Sequence, residues 1–95
     1  MQIQLTGRHV DITPALKEFV DTKFAKLERH FHDMSHVRVI LMTEKGRHLA
    51  EVTLHVAGHD LVAHSDSDNM YAAVDLLIDK IDRQLLKHKS KLKSH

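Results

Sequence analysis

The sequence predicts an α+β fold with element order β-α-β-β-β-α, two helices packed on one face of a four-stranded sheet. Two stretches, one near each end, repeat apolar residues at three- and four-residue intervals, the spacing of one helix face. Between them apolar and polar residues alternate, as in a strand with one face buried. Glycines at 46 and 58 divide this middle part into three short runs, so its strands form a meander.

Ile3 and Leu5 mark the first strand, and Thr6-Gly7 is expected to end it in a turn. Thr13 is a suitable N-cap for the first helix, and Pro14 fits its first position, where the missing N–H costs nothing. Leu16, Val20, Phe24, Leu27 and Phe31 form its apolar face, and the helix should end near "HFHD". "HVRVILMTEKG" is the second strand, closed by Gly46. In "HLAEVTLHVAGHD", Ala50, Val52, Leu54 and Val56 face the core while Glu51, Thr53 and His55 face water. Gly58 turns the chain into the fourth strand, "LVAHS". "DSDN" then caps a long helix through "MYAAVDLLIDKIDRQLLKHKSKL". The first strand, helix and second strand should form a right-handed crossover with a parallel pair.

Ninety-five residues suit a single domain, 1–95, with room for one binding surface. Cysteine is absent, which excludes disulfides, zinc-thiolate sites and thiol nucleophiles. No signal-peptide pattern opens the chain, and no stretch approaches the roughly 20 apolar residues of a membrane span. A cytoplasmic protein without a membrane partner, monomeric when free, is the expectation.

Charge is nearly balanced overall, Lys+Arg 14 against Asp+Glu 13, but it is unevenly placed. Residues 1–79 hold 8 basic and 12 acidic side chains; residues 80–95 hold 6 basic and 1 acidic. On the second helix, Met70, Val74, Leu77, Ile81, Leu85, His88 and Leu92 form the buried stripe. Lys80, Arg83, Lys87 and Lys91 line one flank of it; Asp75, Asp79 and Asp82 line the other, with Lys89 and Lys93. On the first helix Lys23, Lys26 and Arg29 project on one flank, away from Glu18, Asp21 and Glu28. The helix macrodipole explains a lysine-rich last turn, but not the sorting of signs onto opposite flanks. Two such helices side by side are expected to make a positive groove for repeating phosphates. A membrane-surface helix would need an apolar face that is not already committed to the sheet.

"TGRHVDITPALKEFVDTKFAKLERHF" and "MYAAVDLLIDKIDRQLLKHKSKLK", with "TLHV" between them, closely resemble the bacterial ribosome hibernation promoting factor and ribosome-associated inhibitor family. The resemblance is collinear over essentially the whole chain. It implies a layout similar to a double-stranded-RNA-binding domain, and binding to the small (30S) ribosomal subunit and its 16S rRNA. There such proteins overlap the mRNA and the A- and P-site tRNA positions, silencing translation in stationary phase or stress. Ending at His95, the chain is similar to the short form, without a C-terminal dimerisation domain; that form acts with ribosome modulation factor to give 100S ribosome dimers. The resemblance places the family's basic positions on Lys23, Lys26, Lys80, Arg83, Lys87 and Lys91; Arg29 comes from the helix spacing alone. A general structured-RNA-binding protein is the alternative reading.

Other chemistry finds little support. Ten histidines, with His30, His32 and His36 close together, raise metal binding, but no helix-face pair or carboxylate signature accompanies them. "AHSDSD" contains Ser, His and Asp, yet strand neighbours point to opposite faces and form no triad. No glycine-rich phosphate loop is present, so neither an enzyme nor a cofactor is expected. Phe19, Phe24 and Phe31 are needed in the core, which leaves Tyr71 alone to reach a base or to cap the core edge. Few exposed rings favour backbone and shape recognition of folded RNA over stacking on single strands.

Overall fold

The structure, a computed structural model, describes residues 2–93, with side chains as far as His88. Its elements run β1 Ile3–Arg8, α1 Pro14–His30, β2 Met34–Glu44, β3 Arg47–Val56, β4 His59–Ser67 and α2 Met70–Lys93. The four strands form one sheet in the order β1-β2-β3-β4, with β1 parallel to β2 and the other neighbours antiparallel.

Alternation places Val37, Val39, Leu41, Ala50, Val52, Leu54, Val56 and Ala63 on the buried face of the sheet. Leu16, Val20, Phe24 and Leu27 of α1, with Met70, Ala73, Val74, Leu77, Ile81 and Leu85 of α2, pack into the same core. Ser65 is the buried polar member among the described residues; its hydroxyl donates to the Ala73 carbonyl at 2.5 Å and fastens the start of α2 to β4. The opposite face stays open, with Glu51, Thr53 and His55 half-buried as their alternation predicts.

The caps follow the sequence. Thr13 Oγ1 accepts from the Leu16 N–H at 3.1 Å, and Pro14 opens α1. Asn69 Oδ1 accepts from the Ala72 N–H at 2.8 Å and starts α2. Ala57 and Gly58, like Lys45 and Gly46, take positive φ in the two tight meander turns, which favours glycine at the second position. A bulge in β2 puts His36 at φ 53 and lets Met34 and Val37, three apart, both face the core.

The first strand departs from expectation. β1 runs through Thr6-Gly7 to Arg8, because Gly7 and Arg8 still pair with Leu41 and Met42. Glycine is required there for clearance: a Cβ at Gly7 would lie 2.5 Å from the Val10 carbonyl oxygen and 3.0 Å from Ile12 Cγ1. Thr43 Oγ1 donates to the His9 carbonyl at 2.6 Å and holds this loop against β2. Gly7→Ala therefore meets backbone that cannot yield cheaply, and should lower stability by about 1–3 kcal/mol, read as a fall in thermal midpoint of several degrees. An unchanged midpoint would show that the Val10 loop yields freely.

Candidate nucleic-acid interface

The basic row of α2 is fixed by what the helix buries. Leu77, Ile81 and Leu85 are almost wholly inaccessible, so the stripe sets the rotation of the helix and turns Lys80, Arg83 and Lys87 outward, all exposed. Lys80 Nζ donates to the His64 carbonyl at 2.7 Å, and Gln84 Nε2 to the Val62 carbonyl at 2.8 Å. This flank of α2 therefore leans over the outer strand β4. Arg83 is paired with Asp79 one turn earlier, at 2.9 Å, in the (i, i+4) relation the spacing predicts. Lys87 has no ion-pair partner among the described residues. Lys91, the fourth cation of the row, lies beyond the described side chains, as do Lys89, Leu92 and Lys93.

On α1 the three candidates separate. Lys26 and Arg29 are exposed, without an ion-pair partner among the described residues. Lys23 is half-buried; its ammonium lies 3.0 Å from Asp75 Oδ1 of α2 and 5.1 Å from the centre of the Phe19 ring. Phe19 meets Tyr71 of α2 edge-on, with centroids 4.9 Å apart. Tyr71 therefore belongs to the helix–helix contact, although 43% of it remains exposed.

These contacts correct one expectation. The helices do not present their basic flanks to each other across one groove. Asp75, on the acidic flank of α2, faces α1 and neutralises Lys23, while the α2 cations face the β4 edge. Helical spacing tells which stripe is buried, but not which neighbour lies beside each flank. The result is two basic surfaces, Lys26 with Arg29 on α1 and Lys80, Arg83 and Lys87 on α2. The second carries an element that charge spacing did not reveal: exposed Leu76 lies one turn before Lys80 and offers apolar contact beside the cations.

Several other polar groups are engaged elsewhere. Arg47 reaches Asp66 at 2.6 Å and Asp68 at 2.5 Å, and the hydrogen bond and charge of Asp66 hold its guanidinium above the usual arginine range. His55 Nδ1 lies 2.9 Å from Asp60, and His64 Nδ1 lies 3.2 Å from Glu51. His64 is exposed and Ser65 buried, so "AHSDSD" is split between faces as strand geometry requires. Among the described residues no three His, Asp or Glu side chains are grouped to hold a metal ion. His88 sits on the stripe as expected, half-buried, its ring 4.8 Å from that of His59 and its Nε2 without a hydrogen-bond partner.

Residues 3–93 match the family described as Sigma 54 modulation protein / S30EA ribosomal protein. A ribosome hibernation promoting factor of Salmonella typhimurium is 53% identical over 95 residues, covering the whole of both chains. A ribosomal subunit interface protein from Coxiella burnetii has a similar structure, with TM-score 0.86 and 33% identity over 95% of this chain and 99% of that one. The N-terminal domain of Protein Y from Thermus thermophilus superposes with TM-score 0.85 at 27% identity, over 93% of this chain and 99% of that one. With its full length aligned to such relatives and a closely similar fold, this chain belongs to the S30EA ribosomal protein family, among the ribosome hibernation promoting factors.

Proposed function

We propose that the chain silences idle ribosomes by occupancy. It binds the small (30S) subunit against 16S rRNA, in the region of the mRNA and the A- and P-site tRNAs, as a single cytoplasmic ribosome-binding domain. It thereby blocks translation in stationary phase or stress and, with ribosome modulation factor, promotes 100S ribosome dimers. The observation that carries this reading is the exposed row Lys80, Arg83 and Lys87 on a helix anchored by buried Leu77, Ile81 and Leu85. Cations on a rigid helix bind repeating phosphates through counterion release without reordering the protein. Full-length similarity to proteins named ribosome hibernation promoting factors points to the ribosome as the source of those phosphates.

Co-sedimentation with purified 30S, 50S and 70S particles tests the partner, and recovery after a high-salt wash tests the mechanism. The expected results are retention on 30S and 70S and full activity of washed ribosomes. Excess initiator tRNA and mRNA should relieve inhibition. Equal affinity for free RNA duplexes at moderate salt would instead make the chain a general structured-RNA binder. Washed ribosomes with cut or altered RNA would overturn occupancy in favour of chemistry.

A further inference from the structure

We infer that the bulge in β2 builds a phosphate-binding pocket on the open side of the sheet, away from both helices. Neighbouring residues of a regular strand point to opposite faces. Here the bulge turns Met34 and Val37 into the core and leaves Ser35 and His36, which lie between them, together on the outside. Arg38 follows on the same side and is exposed. Gln4 stands beside Arg38 in the parallel register, and Gln2, two residues earlier, is exposed like it. These five polar side chains line a concavity of about 310 Å³, room for roughly ten water molecules. No helix residue among those described lines it.

The donors select the ligand, beyond what charge alone would do. Arg38 has no ion-pair or hydrogen-bond partner among the described residues, so its guanidinium is free to hold two oxygens of one anion. Ser35 Oγ and His36 Nδ1 lie 3.1 Å apart. If the hydroxyl donates in that bond, the neutral imidazole carries its proton on Nε2; if Nδ1–H donates, the hydroxyl proton is released. Either tautomer leaves one donor for a ligand. The Gln2 and Gln4 amides add their own. No carboxylate competes, because residues 2–10 and 34–43 contain no Asp or Glu. Asp60, farther across the open face, is engaged by His55 at 2.9 Å. Donors arriving from two strands suit an anion with acceptor oxygens in several directions, as a phosphate has and a planar carboxylate lacks. An RNA phosphodiester and a free phosphate ion or monoester share this chemistry. An RNA source would rest on the proposed function; the pocket does not.

The test uses the full chain, isotope-labelled, at fixed pH and ionic strength. It is titrated separately with inorganic phosphate, with an RNA of about four nucleotides lacking terminal phosphates, and with acetate. Phosphate should shift the amide resonances of Ser35, His36 and Arg38 saturably, and Arg38→Gln should weaken that binding about tenfold or more. Arg38→Lys keeps the charge but loses the two-pronged geometry; it should fall between the two, and it serves should Arg38→Gln lose its fold. Ser35→Ala should cost less than Arg38→Gln, because His36 keeps a donor. RNA that shifts the same three residues, and loses that effect in Arg38→Gln, identifies the phosphodiester as the ligand. RNA that moves helix resonances only, beside saturable phosphate binding, identifies free phosphate or a monoester. Three results overturn the proposal: no saturable shift at these residues with either phosphate or RNA, equal shifts with acetate, or undiminished binding by folded Arg38→Gln.

Discussion

Replacing Arg83 and Lys87 together by Ala should flatten the salt dependence of 30S binding by nearly two units of log–log slope. Each phosphate contact contributes roughly 0.7–0.9 of a unit through the counterions it releases, so loss of slope counts contacts directly. Lys87→Ala alone should remove about one unit, since Lys87 has no ion-pair partner to compete with a phosphate among the described residues. Arg83→Ala should weaken affinity less at low salt, because Arg83 must first leave Asp79, 2.9 Å away. Glu18→Gln, on the far side of α1, should change nothing. Asp75→Asn is more informative than its place on an acidic flank suggests. It removes the partner that holds Lys23, frees a cation, and should tighten binding modestly. Retention measured at four or five potassium chloride concentrations separates these outcomes. An undiminished slope in the double variant would show that the α2 row does not meet phosphate.

The largest effect on stability should come from Phe24→Ala. The ring has no exposed surface and belongs to the core in which both helices meet the sheet. Truncation leaves a cavity and removes a large apolar area, at a cost of about 3–5 kcal/mol. Domains of this size have about 5–15 kcal/mol in all, so the variant approaches the unfolding threshold. With a urea dependence of about 1–2 kcal/mol per molar, the unfolding midpoint should fall by at least 1.5 M. Leu77→Ala should behave similarly at about 2–5 kcal/mol, and Glu18→Gln should leave the midpoint unmoved. A fall below about 0.5 M for Phe24→Ala would mean that the core closes around the missing ring.

Local signals proved legible because their causes are local. Thr13 and Pro14 start α1 where capping chemistry puts them, and the alternation from Ala50 to Val56 names the buried face without error. Two points depended on how the chain is placed in three dimensions rather than on residue type and spacing. Gly7 reads as a turn, yet it is a close approach, and the atoms that demand it belong to Val10 and Ile12. The charge rows on both helices are evident from spacing, but the side of α2 that faces α1 is decided by how two apolar stripes share one sheet. The pairing of Lys23 with Asp75 and the reach of Lys80 to the His64 carbonyl follow from that arrangement. Neither leaves a mark in the periodicity of one helix.

The parallel pair of β1 and β2 has a consequence for the order of assembly. Ile3 is paired with Val37 and Leu5 with Val39, so the first strand to leave the synthesising ribosome has no partner until α1 and part of β2 have followed it. β2, β3 and β4 are joined by tight turns and pair with their immediate successors, at small cost in loop closure. The strands of the meander are thus able to pair as each one appears, whereas β1 must wait through the whole of α1 before β2 reaches it. A nascent chain stalled before Val37 would expose an unpaired β1, and the protein's own biogenesis is most vulnerable to misassociation during that interval.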